Sequence, residues 1–187
     1  MPSDYLSTPL IFLVNTLFSL YILAVMLRLL LQWVRADFHN PLAKFLITIT
    51  QPLLRPLRRF IPPIGNLDTA SLFLLLVLTM VKLAIISSLA VKVPAISILA
   101  WASIGDLISL TFDILKIAIL IQVILSWVAP TSYNPATILL YHLTEPLLRP
   151  ARNLVPPIGG LDLSPLVVLI GLQMASMLIE PWFPRII

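Results

Sequence analysis

Apolar residues fill four stretches of the chain, about 10–34, 71–93, 107–129 and 163–182, while proline, arginine and other polar residues gather between them. Each stretch holds about 20 residues or more, enough for a helix rising ~1.5 Å per residue to cross roughly 30 Å of hydrocarbon. The pattern predicts an all-α membrane protein with four transmembrane helices. The segment after Pro94, AISILAWASIG, is apolar but too short to span, and reads as an interfacial piece outside the membrane. The opening MPSDYLSTP carries no Lys or Arg, and no small-residue cleavage site ends the first apolar run. That run is therefore expected to be a permanent span rather than a signal peptide.

Between the first two spans stands QPLLRPLRRFIPPIGNLD, Gln51–Asp68; between the last two stands EPLLRPARNLVPPIGGLD, Glu145–Asp162. The likeness runs without a gap through both halves. Trp33 falls on Trp127, Asn40-Pro41 on Asn134-Pro135, and Thr50 on Thr144. Pro52 and Pro56 fall on Pro146 and Pro150, Arg55 and Arg58 on Arg149 and Arg152, Gly65 on Gly159, and Asp68 on Asp162. The chain reads as a span–connector–span unit used twice: repeat 1 over 1–93 with connector 35–70, repeat 2 over 94–187 with connector 130–162. An even number of spans per unit gives both copies one orientation, a parallel repeat with a pseudo-twofold axis along the membrane normal.

Charge then fixes sidedness. Only 11% of residues are charged, against roughly 25% in soluble domains. The connectors hold Arg35, Lys44, Arg55, Arg58, Arg59, Arg149 and Arg152, whereas the other side has only Lys92 and Arg185. By the positive-inside rule the connectors are cytoplasmic and both termini lie outside, with Trp33 and Trp127 at the cytoplasmic interface. There is no cysteine, and the two histidines, His39 and His142, are far apart, so no metal site and no cofactor is expected.

In each connector, Asn40–Gln51 and Asn134–Glu145 predict about three helical turns along the membrane surface. Pro52 and Pro146 suit the first turn of a second short helix, and Pro56 and Pro150 disfavour its continuation. Arg55 and Arg58, like Arg149 and Arg152, are spaced to share a helical face, with Arg59 beside the first pair. The Pro-Pro-Ile-Gly stretches are expected as stiff struts ending in flexible joints at Gly65 and Gly159. Asp68 and Asp162 are placed to cap the next span or to pair with the arginines. Such connectors suit an interfacial anchor on anionic lipid headgroups, at about 1 kcal/mol per basic residue. The sharper alternative is a specific headgroup pocket built by both copies, or a docking surface for a membrane-protein partner or another copy of the chain. The connectors lack exposed aromatics for base stacking, which counts against nucleic acid.

Charges also fall inside the predicted spans. Arg28 lies near the end of the first, where it is expected to snorkel. Lys82 lies in the second span, and Asp113 and Lys116 in the third, at depths of roughly 18–22 Å. A bare charge there costs about 2.5–3.5 kcal/mol. Asp113 is therefore expected to be shared with Lys116, Lys82 or both in the bundle interior. The trio serves either as a structural pairing or as a transport or proton site. Two lysines against one aspartate make that midplane net positive, which repels cations.

The twice-used pattern of Trp33 to Asn40-Pro41, then Thr50, Pro52-Leu53-Leu54-Arg55-Pro56, Pro62-Pro63-Ile64-Gly65 and Leu67-Asp68, resembles the YggT family, called YlmG in Gram-positive bacteria and plastids. One departure is Ala70-Ser71, where the second copy has the expected Ser164-Pro165. The resemblance implies an integral inner-membrane protein without an established enzymatic activity. It also implies links to osmotic-shock tolerance, potassium uptake, membrane cytochrome maturation, or nucleoid and division organisation. It carries over Arg55, Arg58, Asp68 and their mates Arg149, Arg152 and Asp162 as motif positions.

Two functions follow as expectations. One is a non-enzymatic factor that organises or helps assemble membrane components through its paired basic connectors. The other is a transporter, channel subunit or regulator in osmotic and potassium balance, using Lys82, Asp113 and Lys116. An enzyme is disfavoured, because no Ser/His/Asp or Cys/His grouping and no glycine-rich phosphate loop is present.

Overall fold

A computed structural model describes residues 3–36, 39–65, 67–90, 93–128, 134–155 and 162–186. Long runs of leucine, isoleucine and alanine favour helix, and six helices follow in order: α1 Ser3–Trp33, α2 Pro41–Phe60, α3 Thr69–Ala90, α4 Ile96–Val128, α5 Pro135–Leu154 and α6 Ser164–Ile179. A 3-10 turn at Glu180–Trp182 closes the last. Four segments, in α1, α3, α4 and α6 with its closing turn, are long and apolar enough to cross a membrane.

The segment after Pro94 is not a separate interfacial piece: it forms the first turns of α4. Nothing between Ile96 and Val128 breaks a helix except Gly105, whose cost of about 1 kcal/mol is small. Gly105 also has a packing reason. A Cβ there would lie 2.5 Å from the Cβ of Phe183. The bare backbone lets the C-terminal segment close onto α4, where the indole Nε1 of Trp101 donates to the Trp182 carbonyl at 2.9 Å. Gly105→Ala is therefore expected to cost about 1–3 kcal/mol by overpacking. Gly171→Ala, with nothing within 4 Å, should be neutral or slightly stabilising. Thermal unfolding in detergent checks the pair.

The spans form a row rather than a closed bundle. α1 lies along α3, α3 along α4 and α4 along α6, while α6 touches neither α1 nor α3 among the described residues. A closed pseudo-twofold would set α6 against α1 as α4 is set against α3. Instead α5 approaches α1, its Leu143 joining a core that includes Val25, Leu54 and Leu75.

The connector helices also differ from the prediction of two pieces each. α2 and α5 run unbroken through Pro52 and Pro56, and through Pro146 and Pro150. The prolines of each pair are four apart, so their effects fall on one helix face, and all four are exposed. The carbonyls deprived of N–H partners open on that side, away from the buried stripe of Ala43, Thr50 and Leu54 in α2. In α5 the stripe is Leu143, Thr144, Leu148 and Ala151. Burying this stripe holds the helix through the break.

Each connector helix starts alike. Asn40 accepts from the Leu42 N–H at 2.9 Å, Asn134 accepts from the Ala136 N–H at 3.1 Å, and a proline follows at the first helical position. In copy one, Gly65 is not a loose joint. It sits at φ +60° in a turn closed by two 3.1 Å hydrogen bonds between Ile64 and Leu67. Gly159, the rest of Pro156–Leu161, Lys92 and the side chain of Trp127 lie outside the described residues.

Candidate functional site

The two connectors meet. Asn40 donates from Nδ2 to the Pro135 carbonyl at 2.6 Å, and Leu31, Ala36, Ala43 and Leu139 form a small core where α2, α5 and the end of α1 converge. Thr69–Ala90 rises roughly 33 Å at 1.5 Å per residue, close to the hydrocarbon thickness. Its first turn is one end of that candidate span, and Arg58 at the end of α2 meets Asp68 there.

Asp68 stands at this point, 2% exposed. Ser71 donates its hydroxyl to Oδ2 at 2.6 Å and its N–H to Oδ1 at 3.4 Å, and Arg58 from the end of α2 donates to Oδ2. The residue thus caps α3 and pairs with an arginine at once. The departure at Ala70-Ser71 keeps a hydroxyl, moved one position along the chain. Burial pushes the Asp68 carboxyl up, but the Arg58 and Ser71 hydrogen bonds outweigh it and hold the group below its ordinary value. In copy two, Asp162 accepts from the Ser164 N–H at 2.9 Å and from Arg152 Nε at 3.0 Å, with its side chain 43% exposed. Burial pushes the Asp162 carboxyl up, but the Ser164 and Arg152 contacts outweigh it and hold the group below its ordinary value. Arg152 also donates to Glu145 at 2.8 Å, and the two carboxylates outweigh burial and hold its proton more tightly.

The five predicted connector arginines therefore divide. Arg58 and Arg152 turn back to carboxylates. Arg55, Arg59 and Arg149 are exposed, with no carboxylate partner among the described residues. Helical spacing did not put Arg55 and Arg58 to one use, because Asp68 draws Arg58 inward.

Arg28 does not snorkel. It is 5% exposed, and its guanidinium donates to Thr50 Oγ1 at 2.6 Å and Gln51 Oε1 at 3.1 Å. Thr50 and Thr144 are both fully buried. Thr144 meets Gln122 where Thr50 meets Arg28. Aligning the copies would have exposed this: Arg28 falls on Gln122 and Gln51 on Glu145, so two differences shift charge in the same direction. Read one residue at a time, neither position stands out.

The spans carry a second polar group. Lys82 pairs with Asp106 at 3.8 Å, not with Asp113. Asp113 pairs with Lys116 at 2.9 Å and is 59% exposed rather than interior, while Lys116 also donates to Gln173 at 3.2 Å. The unbroken start of α4 carries Asp106 alongside α3, where the lysine stem reaches it. With Asp106 the group has two carboxylates for its two ammonium groups, so the net positive charge expected of Lys82, Asp113 and Lys116 is balanced by a residue beyond the predicted span. Lys82, Asp106 and Asp113 share an open cavity of about 240 Å³ with Ser19, Thr79 and Ser109. A double-mutant cycle in detergent is expected to give about 0.5–3 kcal/mol of coupling between Lys82→Met and Asp106→Asn, and near-additivity for Lys82→Met with Asp113→Asn. No cluster of three His, Cys, Asp or Glu is placed to hold a metal among the described residues.

The family described as CCB3/YggT matches residues 7–89 and again 101–183. The chain is 46% identical to the uncharacterized protein PA0392 of Pseudomonas aeruginosa, over 93% of this chain and 89% of that one. It is 42% identical to a Vibrio alginolyticus protein described as lying in the proC 3′ region, over 89% and 91%. To the protein YggT of Escherichia coli K12 it is 37% identical, over 89% and 86%. No solved structure matches the chain.

Proposed function

The chain belongs to the CCB3/YggT family, and from that premise we propose that it is a non-enzymatic multipass protein of the bacterial inner membrane. In this reading it organises, or helps to assemble, other membrane components through its joined connectors, which lie on the cytoplasmic face. The observation that carries it is the α2–α5 contact through Asn40 and Pro135, which makes one platform of two connectors and leaves Arg55, Arg59 and Arg149 turned outward. Exposed guanidiniums beside apolar side chains such as Leu53 and Phe60 suit a surface that meets anionic headgroups or an acidic partner.

A second reading, a transporter or regulator in ion balance, rests on the cavity that joins Lys82, Asp106 and Asp113. Mutagenesis in cells lacking the gene separates the two. Replacing Arg55, Arg59 and Arg149 with Gln should abolish rescue, whereas Lys82→Met with Asp106→Asn should leave it intact. The reverse pattern would move the function to the membrane interior.

A further inference from the structure

We propose that copy one holds a phosphate-binding cleft, with Arg28 and Arg58 as its ligands, that copy two lacks. Arg28, Arg58 and Asp68 line an open cleft of about 380 Å³ together with Gln32, Ile47 and Pro63. Arg28 is almost wholly removed from water, yet its hydrogen-bond partners, Thr50 and Gln51, are neutral. A buried cation of this kind is costly until an anion meets it. The one carboxylate in the cleft is shared: Asp68 Oδ2 accepts from Arg58 and from the Ser71 hydroxyl, while Oδ1 accepts the Ser71 N–H at 3.4 Å. Two guanidiniums against one carboxylate leave one positive charge and unused N–H donors, since each guanidinium carries five.

Copy two shows the closed alternative. The position of Arg28 is Gln122, the position of Gln51 is Glu145, and Arg152 binds two carboxylates. Charge is satisfied there from within the chain. In copy one an anion from outside the chain completes that balance.

Its chemistry follows from fork and level. Guanidiniums bind tetrahedral phosphate oxygens bidentately. The cleft lies beside Asp68, where α3 enters the membrane, which is the depth of lipid phosphodiesters. A singly charged phosphodiester of a phospholipid and a free phosphate ion share the oxygens that the site recognises. The inference rests on the membrane reading above for that level, but on different residues.

The test uses the full chain purified in neutral detergent. Native mass spectrometry follows retention of phosphatidylglycerol against phosphatidylcholine, and calorimetry follows inorganic phosphate. Wild type is expected to retain one phosphatidylglycerol in at least tenfold preference, or to bind one phosphate. In either case binding should fall at least tenfold in Arg28→Gln and in Gln51→Glu. The first variant installs copy two's own residue. The second keeps both cations and supplies the internal carboxylate, so neither should unfold the protein, as thermal melting would verify. Lipid retention identifies a headgroup site, and phosphate binding without it identifies a solute site. Arg55, Arg59 and Arg149 are intact in both variants, so a tenfold loss in Arg28→Gln and in Gln51→Glu belongs to this cleft and not to the outer platform. If wild type and both folded variants bind each probe equally, the cleft is not a phosphate site.

Discussion

Asp68→Ala is expected to destabilise the protein in detergent by about 3 kcal/mol, against about 1 kcal/mol for Asp162→Ala. The motif is the same at both positions, so the difference comes from burial. Asp68 is 2% exposed, caps α3 through Ser71 and anchors the end of α2 through Arg58. Removing it takes away a cap, worth about 1 kcal/mol, together with charge-assisted hydrogen bonds worth about 1.5–3 kcal/mol. Asp162 accepts from the Ser164 N–H and from Arg152 too, but at 43% exposure water screens the pair, and Arg152 keeps Glu145. Denaturant unfolding of both variants measures the difference, and equal losses would remove the burial argument. The pH dependence has a definite sign. The carboxyl of Asp68 lies below its ordinary value in the folded state. Its contribution is therefore fully present above the unfolded value of about 3.9 and fades as pH falls through the folded one. The stability gap between wild type and Asp68→Asn should accordingly narrow below about pH 4.

Leu54→Ala should cost about 2–5 kcal/mol, the range for emptying a buried leucine site. Leu54 is fully buried although it lies in a connector helix between two prolines, and it belongs to the same core as Val25 of α1 and Leu75 of α3. A loosely floating interfacial helix would not feel its loss. Leu53, beside it in sequence, is exposed at 41%, and Leu53→Ala should change stability by under about 0.5 kcal/mol. Chemical denaturation of the two variants shows whether α2 is docked or merely adsorbed. If they lose stability equally, α2 does not pack as described.

The four spans were legible because length and hydropathy decide them, and the family because its motif occurs twice. The start of α4 was not, since Pro94 reads as a stop although no residue after Ile96 enforces one. The connector helices were misread as two pieces because proline costs are local, whereas the stripe of Ala43, Thr50 and Leu54 that offsets them acts along the whole helix. Depth along an ideal span offers Asp113 to Lys116, to Lys82 or to both, and the structure gives it to Lys116. Asp106 became the partner of Lys82 only once α4 extended past the predicted boundary. Arg28 hid for another reason: a cation near a span end has an ordinary explanation, and its burial depends on where Thr50 and Gln51 of another helix come to rest.

The joined connectors are expected to meet something other than water. Phe60 and Leu154 end α2 and α5, and each is 80% exposed. A photo-reactive residue placed at each site in turn, irradiated in living cells and read by mass spectrometry, tests this directly. The account predicts adducts at both sites, either phospholipid or one recurring protein, that weaken when Arg55, Arg59 and Arg149 become Gln. Adducts at neither site above background would contradict it.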